Sequence, residues 1–288
     1  MVLGKHGISI VGQQSWRSFG VEETAYEIRW LNANGWLTLQ AEQPTLYMAA
    51  AEVGGRCELR AHPDQPVDGE YFGSDALSFA ASGSSVALYA AEIREVRLCC
   101  FTLHARNAGY LSGEQIAAIA HLRSRYMFRN ARIRTCAALL DADRIRDGSN
   151  EAYLLSLSKA LFAAVLDTIE GPDQHPAPAA LTGARWHAVA GYLRDHFSET
   201  VTVAALAAFV RMPPEQFGAN FQAATGMSLR QWQMDCRVRG AQRLLADDPR
   251  SSLAKVAALC GFQDQSHFSR AFFRVVGQTP SAWLHDRT

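Results

Sequence analysis

A short stretch near the C-terminal end of this 288-residue chain is rich in side chains that hydrogen-bond to nucleic acids. Amide and hydroxyl groups exchange hydrogen bonds with base edges, and an arginine fork binds a guanine edge or a phosphate. The stretch carries five such side chains: Gln265, Ser266, Ser269, Arg270 and Arg274. Their spacing predicts that they lie on or near one side of a helix.

Apolar residues around this stretch predict the elements that position it. Val256 and Leu259 indicate one helix, and Phe268 and Phe272 indicate the inward face of a second. Gly261 lies between them and suits a tight turn, because glycine enters the left-handed backbone region without steric cost. The pattern predicts helix, turn, helix with a polar outer face. A plain helical hairpin is the alternative that the geometry leaves open.

The residues of this segment strongly resemble the C-terminal motif of the AraC/XylS family of transcription regulators. The resemblance lies in Gly-Phe at 261–262, in Asp264 and in the run SHFSRAFFRVVGQTPSAW at 266–283. It continues backwards to about Trp186, roughly the last third of the chain. It implies an all-α domain with two helix-turn-helix motifs that binds double-stranded DNA, and a long linker helix between the motifs at about 232–249.

The earlier copy of the motif is weaker. Its Phe217 and Phe221 repeat the spacing of the phenylalanines in the later copy, but Pro213 and Ala219 stand where the family usually has serine and arginine. On its outer face, Glu215 offers an acceptor for cytosine and Gln222 offers an amide. We predict Glu215 and Gln222 as DNA contacts, and expect the second copy to provide most of the base readout.

Length and composition indicate an α+β chain of two domains. The 48% of hydrophobic residues suffices for two cores. We expect a sensing and dimerisation domain at 1–170, a Pro-rich linker at 171–181 and the DNA-binding domain at 182–288. Short apolar runs within 1–105 predict strands in a small barrel or double-sheet jelly roll, with a hairpin at Asn34-Gly35. The family resemblance implies that this is a cupin-like barrel that binds the effector.

Residues 111–170 change to a helical period. The run from Glu151 to Ile169 places Leu154, Leu161 and Val165 close to one face. Helices after the barrel commonly form the dimer contact in the family, so the resemblance implies a homodimer. The alternative is that this face covers the sheet of its own subunit.

An arginine-rich segment lies between the predicted helices. Arg125, Arg129 and Arg132 are candidate ligands for an anionic effector such as a cyclic dinucleotide, because arginine forks suit phosphate and carboxylate groups. In the alternative interpretation, the arginines of this segment pair with carboxylates on the same surface. The carboxylates in this interpretation are Asp141, Asp143 and Asp147.

Nothing in the sequence predicts a catalytic or metal site. His6, His62 and His104 are isolated, the cysteines lack metal-ligand spacing, and no nucleotide-binding or nucleophile motif occurs. We therefore expect no catalytic residue, metal or cofactor. The rival from another class is a cupin-type small-molecule-binding or metal-dependent enzyme domain tethered to a DNA-binding module.

Charge is unevenly distributed along the chain. Residues 185–288 contain 12 Lys and Arg against 8 Asp and Glu, and residues 1–184 contain 16 against 20. A basic C-terminal unit after an acidic one fits a DNA reader with a regulatory domain. With neither an export signal nor a membrane span predicted, we expect a cytoplasmic regulator whose partners are promoter DNA, a small-molecule effector, RNA polymerase and a second copy of itself.

Overall fold

Period-two apolar patterns in the first third of the chain form strands, and helical patterns dominate the remainder. The computed structural model describes residues 2–31, 35–62, 72–73, 75–90, 93–143, 150–170, 181 and 183–285. The chain divides into two units. Unit 1 comprises Met1–Glu52, Cys57–Ala91 and Glu95–Ala177, and unit 2 comprises Val53–Arg56, Glu92–Arg94 and Pro178–Thr288. The predicted linker at 171–181 lies, except for Leu181, outside the described residues.

The strands of unit 1 form two antiparallel sheets. They are β1 Val2–His6, β2 Ile8–Ser18, β3 Val21–Trp30, β4 Gly35–Gln40, β5 Thr45–Val53, β6 Glu58–Arg60, β7 Leu77–Ala80, β8 Ser85–Ala90, β9 Glu95–Leu103 and β10 Arg125–Phe128. One sheet has the order β1-β4-β8-β6 and the other the order β10-β7-β5-β9-β3-β2. Among the described strands the two sheets are open, and no closed barrel is found.

The hairpin predicted at Asn34-Gly35 is wrong. Asn34 lies outside the described residues, but the strands on either side of it belong to different sheets. β3 pairs with β2 and β9, whereas β4 pairs with β1 and β8. The two strands that flank β3 in its sheet are thus β2 and β9. The chain passes to the other sheet between β3 and β4, where the Asn-Gly sequence suggested a two-residue hairpin.

The helices of unit 1 pack on the six-stranded sheet. They are α1 Gly113–His121, α2 Ala131–Asp143 and α3 Glu151–Glu170. Leu161, Phe162 and Val165 of α3 are fully buried in one core with Phe79 and Phe101 of the sheet. Helix α3 is long and apolar enough to cross a membrane by length and composition alone. The core helix of a soluble protein meets the same two criteria. Packing against the sheet accounts for its apolar face.

Unit 2 is helical. Its helices are α4 Gly183–Asp195, α5 Val203–Phe209, α6 Pro214–Thr225, α7 Leu229–Asp247, α8 Leu253–Leu259, α9 Gln265–Val276 and α10 Pro280–His285. Trp186 of α4 packs against Phe221 of α6 and Trp232 of α7, with ring centroids 6.0 and 5.3 Å away. A second cluster joins Val238 and Leu245 of α7 to residues of α8 and α9. The long helix α7 therefore contributes to both halves of the core.

Candidate nucleic-acid interface

The turn between α8 and α9 depends on a glycine. The Cys260, Gly261 and Phe262 amides donate to carbonyl oxygens of α8 at 3.0, 3.1 and 3.0 Å, which reverses the chain at the helix end. Gly261 has φ +74°, in the left-handed region, and a β-carbon there would collide with the Ser198 carbonyl group. Backbone conformation and close approach both exclude a side chain at this position.

Helix α9 presents a mainly polar face to solvent because most of its apolar residues pack inward. Asp264 caps its N-terminus, where the carboxylate accepts from the His267 amide at 2.6 Å, and Gly277 ends it with φ +82°. Phe268, Ala271 and Phe272 are buried. The residues with exposed side chains are Gln265, Ser266, Arg270, Phe273 and Arg274, and Ser269 is half-buried.

The pair α5–α6 repeats this arrangement with different residues. The Val210, Arg211 and Met212 amides make the same three bonds as those of residues 260–262, at 3.0, 3.1 and 2.8 Å. Arg211 occupies the position of the turn glycine, with φ +56°. Helix α6 begins after Pro213 without a side-chain cap, and its exposed face includes Glu215 and Gln222.

One arginine of α7 connects several backbone segments of unit 2. The Arg237 guanidinium donates to the carbonyl oxygens of Phe197, Glu199 and Gly261 at 3.2, 3.0 and 3.0 Å. Partial burial lowers the pKa of Arg237 from its ordinary value. Arginine keeps its charge in folded proteins, so the guanidinium stabilises the segment after α4 and the turn before α9 together.

Comparisons with known proteins agree with this geometry. A family model described as a helix-turn-helix domain matches residues 206–286, which contain both helix pairs. Over 92 residues the chain is 34% identical to a probable transcriptional regulator, LumQ, of Photobacterium leiognathi, and the match covers 32% of this chain and 37% of that protein. Residues 206–286 thus form a helix-turn-helix domain of the AraC type.

Other similarities extend over different lengths. The AraC-type domain is 40% identical over 65 residues to the HTH-type transcriptional activator RhaR of Salmonella arizonae, and the match covers 23% of each protein. The chain therefore spans well under half the length of these curated relatives. A solved structure of ToxT from Vibrio cholerae aligns with 92% of this chain and 98% of its own, at 12% identity and a TM-score of 0.37.

The structure brings the predicted residues of the second copy of the motif together on one helix of the AraC-type domain. Four of the five have exposed side chains, and Ser269 is half-buried. Their contacts with DNA stay predictions. Phe273 is 55% exposed on the same helix and was not among the residues predicted from sequence. The signal was available, because Phe273 does not share the spacing of Phe268 and Phe272.

Part of the arginine segment of unit 1 forms a strand. Arg125 lies in strand β10, where its guanidinium donates to the Thr168 carbonyl oxygen at 3.0 Å. Arg129 donates to Asp75 at 2.9 Å, and Arg132 lies 3.6 Å from Asp167. Arg129 and Arg132 thus pair with carboxylates that the sequence did not suggest.

The sequence suggested three other carboxylates as partners. Asp141 accepts two hydrogen bonds from Arg97 of β9, one of them at 2.6 Å. Asp147 lies outside the described residues, as does the side chain of Asp143. Asp141 is thus held by β9, while β10 and α2 direct Arg129 and Arg132 towards Asp75 and Asp167. Pairing of the arginine segment with Asp143 and Asp147 stays a prediction.

A groove lies between α2 and α3, with a volume of about 670 Å³. Its lining includes Arg132, Cys136, Ala160, Ala164 and Asp167. This volume lies in the range of small-molecule sites. The small residues of both helices open the groove, and the Arg132 and Asp167 side chains give it a charged rim.

Among the described residues of unit 1, one group could hold a metal ion. Glu23, Cys99 and Asp141 place a carboxylate oxygen, a sulfur and a second carboxylate oxygen within 4.8 Å of one another. Burial raises the pKa of the Cys99 thiol well above its ordinary value, so without a cation it stays protonated. All six cysteines are free. Sequence spacing missed this group because its members come from β3, β9 and α2.

Proposed function

We propose that this chain is a sequence-specific DNA-binding transcription regulator. The observation that carries the proposal is helix α9, whose exposed polar face follows a glycine turn in a domain of the AraC type. Both known relatives named above are described as transcription regulators. A polar face of amide, hydroxyl and guanidinium groups suits base edges and phosphates.

In this proposal, α5–α6 and α8–α9 act as two helix-turn-helix motifs. Their second helices, α6 and α9, enter the major groove, and α7 separates them. Helix α9 provides most of the base readout through Gln265, Ser266, Ser269 and Arg270. Helix α6 contributes less because its exposed face carries Glu215 and Ala219, of which the first repels phosphate and the second has no donor.

The test is selection of bound duplexes from a random library by the full-length protein, followed by titration at several salt concentrations. We expect one enriched motif and an affinity that falls with salt, because phosphate contacts release counterions. Arg270→Ala should weaken binding to the selected duplex by about 1 to 3 kcal/mol. Arg194→Ala, on α4, is the matched arginine control and should have little effect. Absence of any enriched motif would contradict the proposal.

We further propose that unit 1 senses a small-molecule effector, and the cupin-like barrel implied by the family resemblance remains part of this proposal. An anionic effector at Arg125, Arg129 and Arg132 is one candidate. The α2–α3 groove supports it, because Arg132 lines the groove and its ion pair with Asp167 is exposed and therefore weak. A neutral or aromatic metabolite bound elsewhere in unit 1 is the competing candidate.

Thermal melting against a metabolite panel that includes nucleotides and cyclic dinucleotides separates these candidates. An anion that stabilises the wild type but not Arg125→Ala/Arg129→Ala or Arg132→Ala supports the arginine site. Arg106→Ala is a control for the loss of a surface arginine of unit 1. A neutral compound that stabilises all variants equally would remove the arginines from the effector site.

The remaining partners follow from the same proposal. A regulator of this kind acts in the cytoplasm on promoter DNA and contacts RNA polymerase there. Exposed Leu139 of α2 and Tyr153 of α3 support a homodimer through these helices. Leu139→Glu should lower the molar mass measured by light scattering, and an unchanged dimer would exclude this surface.

A metal-dependent activity of unit 1 is the second candidate function, and it rests on the group Glu23, Cys99 and Asp141. Arg97 already holds both oxygens of Asp141, so a metal would share that carboxylate with a guanidinium. Elemental analysis of the purified protein decides between the two functions of unit 1. A stoichiometric metal that Cys99→Ser removes would favour the enzyme.

A further inference from the structure

Phe273 occupies an unusual place for a large apolar side chain. It is 55% exposed, while the neighbouring Phe272 is fully buried in the core of unit 2. Single exposed apolar residues are common on protein surfaces, so exposure alone assigns no role. Its position on α9 is more informative.

Helical geometry places Phe273 in the middle of the polar face. At about 100° per residue, its side chain lies about 20° from Ser266, about 40° from Ser269 and about 60° from Arg270 around the helix axis. The buried residues Phe268 and Phe272 lie about 140° and about 100° from Phe273 around the same axis. A surface formed by α9 that contacts base edges through Ser266 and Arg270 therefore includes the ring of Phe273.

We infer that Phe273 is a specificity-determining residue that contacts the 5-methyl group of a thymine in the major groove. The thymine methyl is the apolar group that base edges present there, and phenylalanine is among the side chains that recognise it. This inference rests on the proposed DNA-binding function. It adds a base preference that the hydrogen-bonding residues of α9 do not provide.

The first helix pair offers an internal comparison. Gln222 follows Phe221 in α6 as Phe273 follows Phe272 in α9, and both side chains are exposed. Glutamine at such a position suits adenine, since its amide can bond to two atoms of the adenine edge. The two copies therefore differ at an equivalent position in the class of base that they favour.

The experiment uses the full chain and the duplex obtained by selection. Each thymine of the selected site is replaced in turn by deoxyuridine, which removes only the methyl group. Wild-type protein should lose about three- to fivefold in affinity at one or two positions, the effect of one buried methyl group. Phe273→Ala should bind thymine and deoxyuridine equally there, and Phe273→Gln should shift the preference towards adenine.

Leu259→Ala is the matched control, because Leu259 is 52% exposed in unit 2 but lies at the end of α8. It should keep the wild-type response at every thymine. If Phe273→Ala shows the wild-type response to deoxyuridine, or weakens all duplexes equally, the inference is wrong although the protein still binds DNA. If the selection enriches no duplex at all, the proposed DNA-binding function is contradicted, and not only the role of Phe273. Melting temperatures of the variants identify any loss of folding.

Discussion

The two helix pairs of unit 2 share a backbone but differ in their side chains. Both turns make the same three hydrogen bonds, and both second helices end at a glycine with positive φ. The second pair has a glycine in its turn and an aspartate cap, whereas the first has Arg211 in the left-handed region and an uncapped start at Pro213. In the second pair, the residues at the turn and at the start of the helix are thus the types that these backbone positions favour.

The same difference extends to the proposed recognition surfaces. Helix α9 exposes hydroxyl, amide and guanidinium groups, and α6 exposes Glu215 and Ala219. Helix α6 also exposes the amide of Gln222, but it has no exposed hydroxyl or guanidinium group. Because the fold is kept while those donors are lost, the comparison separates residues that form the motif from residues proposed to contact DNA. The following predictions test this separation, beginning with the largest expected effect.

The turn glycine should be the most sensitive position. Gly261→Ala should lower the free energy of unfolding by at least about 2 kcal/mol, from the left-handed conformation and the collision with Ser198 together. Gly218→Ala in α6 is the matched control, because a β-carbon there meets no atom within 4 Å. It should raise stability by about 0.5 to 1 kcal/mol. Urea denaturation measures both, and equal effects would refute the distinction.

Loss of the Arg237 guanidinium should be next in size. Arg237→Met keeps an unbranched apolar stem but removes the donors to Phe197, Glu199 and Gly261. We expect a loss of about 2 kcal/mol, since hydrogen bonds that involve a charged group contribute more than neutral ones. Arg250→Met, at an exposed position before α8, should change stability little. If both variants denature at the same urea concentration, the Arg237 contacts do not stabilise the turn.

The helix cap should have the smallest of the three effects. Asp264→Ala should destabilise the domain by about 1 kcal/mol because the His267 amide loses its acceptor, and Asp264→Asn should retain most of the stability. In the first pair, Pro213→Ala should cost less, because no side-chain bond is lost there. A larger loss at Pro213 than at Asp264 would reverse our assignment of the stabilising cap to the second pair.

These elements also show what the sequence could predict. Phe268 and Phe272, the glycine turn and the outward polar residues follow from spacing, so the second pair was predictable in detail. The crossing of β3 and β4 into different sheets was not, because pairing depends on distant strands. Strand β2 was hard to predict, because polar residues such as Gln13 and Gln14 interrupt its apolar pattern.

The candidate sites follow the same division. The face of α9 was predictable because its residues are local in sequence, apart from Phe273, which the inward assignment of the other phenylalanines obscured. The partners of Arg129 and Arg132 were not predictable, since Asp75 and Asp167 come from other elements. The group of Glu23, Cys99 and Asp141 could not be predicted from sequence, because its members meet only when α2 packs on the sheet.

The most direct test of the account is the base preference at each position of the selected DNA site, measured for the wild type, Arg270→Ala and Ala219→Ser. We predict that the wild type has strong base preferences in one half of the site and weak preferences in the other. Arg270→Ala should remove the strong preferences, and Ala219→Ser should change almost nothing. Equal preferences in both halves, or a large loss of affinity in Ala219→Ser, would contradict the claim that the second helix pair provides most of the readout.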